Sequence, residues 1–254
     1  MRPAPRLFTR DSLGSGRFSL SPEQARYLGQ VLRLGPGAEI RLFNGRDGEW
    51  LYRIASISRR GGEATPVEQR RLQAEHSGTP ILLFAPLKRA PTELLIQKGT
   101  ELGVAAFQPV ITARTNRDQL RIDRLESIAI EAAEQCERLS VPSIAAPADV
   151  FDTIDRFPAF VFCDEAGDQP GEPWGGESGR AGPASEVFAA AKAARSAPDA
   201  VLIGPEGGFT PEERGKLRAL TGACAVSLGP RILRAETAAM VALTLWQVHF
   251  GDFA

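Results

Sequence analysis

The chain has 254 residues, 43% hydrophobic and 24% charged, the make-up of a soluble globular protein with one large domain or two ordinary ones. No apolar run approaches the ~20 residues of a membrane span, the N-terminus leads into no signal segment, and Cys136, Cys163 and Cys224 are too scattered for a metal set or disulfide framework, so a cytoplasmic protein with no membrane and no metal is expected. The net charge of −1 hides an asymmetry: residues 1–75 carry 13 Arg, no Lys and 8 acidic residues, a net +5, and the remainder is acidic at −6, so the first part is expected to meet a polyanion.

Residues 1–70 read as β-rich. Glu39–Phe43 and Glu49–Ala55 alternate apolar and polar residues, and the turn dipeptides Asn44-Gly45 and Asp47-Gly48 between them predict a hairpin. Ser21, Pro22 and Gln24 form a capping box opening a short helix whose apolar face is Ala25, Leu28, Val31 and Leu32. A small barrel with one helix follows. Residues 70–79 lack periodicity and are taken as a linker. Pro80–Ala85 is a continuous apolar run, as in a strand buried on both faces. A helix over 91–102 ending at Gly103, a strand over 104–111, a polar stretch Thr112–Arg117, a helix over 121–139 and a buried strand over 159–163 come next.

Residues 164–185 are rich in glycine and proline without pattern, and two readings stay open: a lid over a ligand, or a disordered surface insertion. A helix around 185–196 completes the strand–helix alternation of a parallel α/β sheet. The final helix, about 236–250, is apolar nearly all round (Met240, Val241, Leu243, Leu245, Trp246, Val248, Phe250), so it needs cover on more than one side, from the sheet and from a second subunit.

Two Gly-Pro loops carry the strongest signal. Gly204-Pro-Glu-Gly-Gly208 follows the β-prone run Ala200–Ile203, and Leu228-Gly-Pro-Arg-Ile-Leu-Arg-Ala-Glu-Thr-Ala238 follows Ala225–Leu228. A buried strand breaking into such a loop offers bare backbone at the carboxyl edge of a sheet, where open α/β sheets bind ligands. Thr210, Pro211 and Glu213 make a capping box for the helix after the first loop. One such loop is equally a plain strand–turn–helix connection, but a second of the same make-up favours a shared small-molecule site. No P-loop occurs, Gly14-Ser-Gly16 lacks the context of a dinucleotide site, and neither His76 nor His249 has neighbours at ligand spacing.

The two loops resemble the RsmE family, SPOUT-class methyltransferases acting on N3 of one uridine in 16S ribosomal RNA. Lys98–Val104, Glu131–Gln135, Val31–Arg33 and Phe43–Gly45 match it too, whereas Gln135-Cys136-Glu137-Arg138 departs where a small residue usually precedes the arginine. The resemblance implies a PUA-like β-barrel that binds RNA over residues 1–72, a SPOUT domain with a C-terminal trefoil knot over 78–254, a homodimer, and S-adenosyl-L-methionine held by three loops. By match these place Cys163, Ile203, Gly204, Glu206, Gly208, Leu228, Gly229, Ile232, Leu233, Thr237 and Ala238 at the cofactor. Arg6, Arg10, Arg33, Arg46, Lys88 and Arg114 are the RNA contacts, by charge and motif position.

The uracil N3 proton must leave as the methyl arrives, and the base must be unpaired to present that edge. A guanidinium stabilises the ring anion as an oxyanion hole would. Arg234 is the first choice for it and Arg231 the second. Glu206 and Glu236 are the acid residues, to accept the proton, hold an arginine or bond the cofactor amine; Glu236 is otherwise a carboxylate at a helix N-terminus. Competing readings are a SPOUT enzyme with another RNA target, such as transfer-RNA ribose, and a non-catalytic RNA-binding module; titration with S-adenosylmethionine separates the module from the enzymes.

Overall fold

A computed structural model of the chain describes residues 4–73, 79–115 and 120–253. The chain falls into two compact units, residues 1–75 with 133–141, and residues 76–132 with 142–254.

In the first unit β1 (Arg6–Phe8), β2 (Phe18–Leu20), β3 (Glu39–Phe43), β4 (Glu49–Ser58) and β5 (Gly61–Arg71) form one sheet in the order β1-β3-β4-β5-β2. The predicted hairpin is β3–β4, with Glu39 opposite Arg53 and Phe43 opposite Glu49. Its turn closes on Asn44, whose side-chain oxygen accepts the N–H groups of Arg46 and Asp47 at 3.0 and 2.8 Å, a side-chain mimic of a backbone turn. Three register shifts between β4 and β5 act as bulges and curl the sheet around Leu20, Leu28, Ile40, Leu42, Tyr52 and Ile54.

The capping box at Ser21 opens α1 (Pro22–Arg26) as predicted. The chain then widens into a π-helical turn, Tyr27–Val31. The wider turn changes the predicted face: Ala25 and Leu28 enter the core, but Val31 is 65% exposed. β5 runs to Arg71, so the strand takes the first two residues of the expected linker; residues 74–78, with His76, lie outside the described residues.

Arg6 corrects an expectation. Its side chain is buried and paired with the equally buried Glu49. The guanidinium also donates to the carbonyls of Ala133, at 2.7 Å, and of Arg138, and lies 3.9 Å over the Phe43 ring. With its donors turned inward, Arg6 holds the first unit together and is no phosphate contact. Arg10, Arg33 and Arg46 are exposed. Arg6→Ala removes the nearest partner of the buried Glu49 carboxylate, leaving Arg41 at 3.5 Å, and should cost the first unit about 3–5 kcal/mol. Arg46→Ala should stay within about 0.5 kcal/mol, as surface changes do. Chemical denaturation of the two variants checks the contrast.

The second unit alternates as expected: β6 (Ile81–Phe84), α2 (Arg89–Glu101), β7 (Ala106–Ile111), α3 (Ile122–Gln135), β8 (Ser143–Ile144), β9 (Ala148–Asp149), α4 (Val150–Ile154), β10 (Phe160–Cys163), α5 (Ala184–Ala193), β11 (Ala200–Ile203), α6 (Pro211–Ala219), β12 (Ala223–Val226) and α7 (Ala235–Phe250). The strands run parallel in the order β12-β10-β11-β6-β7-β8, with β9 also on β7. β10 and β11 are buried throughout, and β6 in all but its first residue, as their unbroken apolar runs require. Some boundaries and short elements differ from the sequence reading. α3 stops at Gln135, two residues before Glu137 takes a left-handed φ of 61°. β12 lies two residues earlier than expected, and β8, β9 and α4 are too short to carry a period.

α7 packs on α2, α5 and β11. Leu243 and Trp246 are buried, and the indole N–H donates to Pro198 O at 2.9 Å. Gln247 donates to Leu102 O at 2.7 Å, beyond the end of α2. Val248 is left 44% exposed, and Met240, Val241 and Leu245 are half-buried. Among the described residues, no helix is long and apolar enough to cross a membrane.

Candidate active site

The register sets Ile203 beside Phe84 and Cys163 beside Val226. The chain therefore leaves β6, β10, β11 and β12 at one carboxyl edge of the sheet. The four following segments line a cavity of about 430 Å³, within the range of small-molecule sites. From the expected site it gathers Lys88, Cys163, Ile203, Gly204, Glu206, Gly208, Ile232, Leu233, Arg234, Glu236 and Ala238. Leu228, Gly229, Arg231 and Thr237 do not line it. The lining also includes residues the sequence reading passed over: Pro91, Glu165, Trp174, Pro205, Phe209 and Ala235.

The Gly204–Gly208 loop is shaped by what it must avoid. A Cβ on Gly204 would stand 2.9 Å from the Phe209 ring, and Gly208 sits at φ 68°, a conformation costly for other residues. The predicted capping box forms: Thr210 Oγ1 accepts the Glu213 N–H at 3.1 Å, and Glu213 accepts the Thr210 N–H at 2.8 Å. The other Glu213 oxygen accepts Ala113 N–H at 2.7 Å, and Arg114 donates to Gly207 O at 2.7 Å. Both contacts tie the segment after β7 to this loop. They also give Arg114, expected at RNA, a partner on the protein; Asn116 and Arg117 lie outside the described residues.

The segment after β10 is organised by α6. Arg214 is almost fully buried. It donates from Nε to Asp164 at 2.7 Å, from Nη1 to Gly167 O at 2.8 Å and Asp168 at 3.0 Å, and from Nη2 to Ala166 O at 2.6 Å. One turn later Arg218 reaches the second Asp164 oxygen at 2.7 Å and Gly179 O at 2.8 Å. Further bonds within the segment, Gly167 N–H to Trp174 O and Gln169 N–H to Gly175 O, each 2.8 Å, fold it back on itself. From residues 164–185, Glu165 and Trp174 reach the cavity wall. Two aspartates four apart, with two arginines four apart on a helix, were the available signal.

Burial raises the proton affinity of Glu165, with Asp164 adding to the effect; its own backbone N–H, Arg214 and Arg180 oppose it. Burial also pushes the Cys163 thiol up, so Cys163 is a wall residue and not a thiolate nucleophile. Arg234 is exposed at the N-cap of α7, and its side chain makes no capping bond. Arg214→Ala should speed amide hydrogen exchange across 164–180 more than Arg218→Ala does, because it removes four acceptors' shared partner. Mass spectrometry of exchanged peptides reads the difference.

Fold and cavity together define an RNA methyltransferase domain: the family described by that name matches residues 75–247, and the RNA methyltransferase PUA domain matches residues 20–67. Ribosomal RNA small subunit methyltransferase E of Rickettsia conorii is 31% identical over 88% of this chain and 86% of its own length. A crystal structure of the Neisseria gonorrhoeae methyltransferase of the same name, bound to S-adenosyl methionine, aligns with TM-score 0.79 and 26% identity over 99% of this chain and all of that one. A Legionella pneumophila putative methyltransferase in complex with bound cofactor SAM aligns with TM-score 0.76 and 28% identity over 97% and 98%. The chain belongs to the ribosomal RNA small subunit methyltransferase E family.

Proposed function

We propose that this protein is an S-adenosylmethionine-dependent methyltransferase acting on N3 of one uridine in 16S ribosomal RNA of the small subunit. The observation that carries the reading is the meeting of residues 203–209 and 232–238 at one cavity. The residues fit the cofactor. Gly204 and Gly208 present bare backbone, and Ile203, Ile232 and Leu233 supply apolar walls. Leu228 and Gly229 open the loop whose later residues, Ile232 to Arg234, face the cavity, and Thr237 lies off it on α7.

When bound, the cofactor supplies a methyl group on a sulfonium. A dry apolar wall favours loss of that charge, and the buried side chains of Ile203 and Phe209 exclude water. Arg234, always charged, is placed to stabilise the negative charge that deprotonation puts on the uracil ring and its carbonyl oxygens. Arg231, off the cavity, is assigned to the RNA backbone beside it. Lys88 at the cavity mouth, with Arg10, Arg33, Arg46 and Arg114, neutralises phosphates.

Residues 1–72 serve as a PUA-like barrel that binds RNA, and 78–254 as the SPOUT domain. Its C-terminal trefoil knot is inferred from the family likeness, as is a homodimer that would cover the apolar remainder of α7. An enzyme of this kind works in the cytoplasm.

The test uses small subunits from a strain lacking the enzyme, incubated with protein and labelled cofactor and mapped by mass spectrometry. The expected result is one methyl at N3 of a single uridine; a methyl on ribose or on transfer RNA refutes the target. Arg234→Ala should slow transfer about 10²–10³-fold, the loss seen on removing one oxyanion donor. Cofactor affinity by titration calorimetry should be unchanged.

A further inference from the structure

We propose that Glu165 is the catalytic residue that takes the N3 proton, a role that rests on the methyltransferase reading above. Three carboxylates border the cavity. Glu206 stands on the exposed crest of its loop, and Glu236 lies in the first turn of α7. Glu165 and Glu236 are both half-buried, and Glu165 is the one that sits against the Gly204–Gly208 loop, just beyond β10, where a Cβ on Gly208 would come within 3.7 Å of its Oε1.

The neighbouring bonds explain why it faces inward. The Asp164 side chain is taken by Arg214 and Arg218, and the carbonyls of Ala166 and Gly167 are taken by Arg214. The chain on either side of Glu165 is thus pinned to α6, while its own carboxyl accepts from its own backbone N–H. Arg214 spends its donors on Asp164, Asp168 and the two carbonyls, so it compensates Glu165 only at a distance. The other charged groups around Glu165 are Arg180 on its own segment, Arg114 on the segment after β7, and Lys88, Glu206, Arg234 and Glu236 on the other cavity walls.

A half-buried carboxylate with strengthened proton affinity is matched to a weakly acidic imide. In the step, the N3–H bond breaks and its proton passes to Glu165. The nitrogen pair forms the N3–CH₃ bond, and the pair of the broken S–CH₃ bond returns to sulfur. Glu165 then releases its proton to water, restoring the carboxylate. Arg234 and Glu165 divide the labour: one stabilises the ring anion, the other removes the proton that creates it.

The experiment measures single-turnover transfer against pH, with cofactor affinity by calorimetry, for the wild type, Glu165→Gln and Glu165→Ala. Glu165→Gln should slow transfer about 10²-fold or more while binding the cofactor as the wild type does. Wild-type transfer should fall as pH drops through a carboxylate pKa above the ordinary range, and that limb should vanish in Glu165→Gln. Added formate should partly restore Glu165→Ala. A variant that transfers at the wild-type rate, that recovers fully at saturating cofactor, or that keeps the acid limb overturns the assignment and leaves the methyltransferase reading standing. A wild-type protein that neither binds the cofactor nor transfers a methyl overturns both.

Discussion

The buried ion pair between Arg214 and Asp164 is the interaction on which the site depends. Three segments that leave the sheet at different strands converge on α6: Asp164–Gly167 through Arg214, the Gly204–Phe209 loop through the capping box, and Ala113 through Glu213. Such a pair is no argument for stability, since desolvating both charges offsets most of their attraction. Its effect is directional. A guanidinium with fixed donors accepts one arrangement of the chain after β10, and that arrangement sets Glu165 and Trp174 in the cavity wall.

The parallel sheet supplies the rest. Strands paired in one direction end together, so the loops after β6, β10, β11 and β12 share an edge. The glycines fall where those loops crowd: Gly204 against Phe209, Gly208 against Trp174 and Glu165. The first unit follows a different logic, a curled mixed sheet pinned by Arg6 and Glu49, with Arg10, Arg33 and Arg46 turned outward. Charge is sorted unevenly along the chain, +5 over residues 1–75 and −6 over the remainder.

Much of this was legible in the sequence because it is local. The Ser21 and Thr210 capping boxes, the Asn44 turn, the apolar runs of β6, β10 and β11, and the two Gly-Pro loops all depend on neighbours within a few residues. Arg6 was misread because an arginine in a basic segment looks the same whether it faces solvent or a carboxylate 43 residues away. Val31 was misread because helical spacing assumes an α-turn, and the chain widens at Tyr27–Val31. Glu165 and Trp174 were hidden in a segment without period, since their place is set by Arg214, some 50 residues on. β8, β9 and α4 span too few residues to show a pattern.

The central claim is that the segments after four parallel strands make one pocket for a methyl donor. A crystal of this protein grown with S-adenosylmethionine tests it most directly. The account predicts density for the cofactor between residues 203–209 and 232–238, with its methyl group turned toward Arg234 and Glu165. Cofactor bound elsewhere on the protein, or a methyl directed away from both side chains, would contradict it.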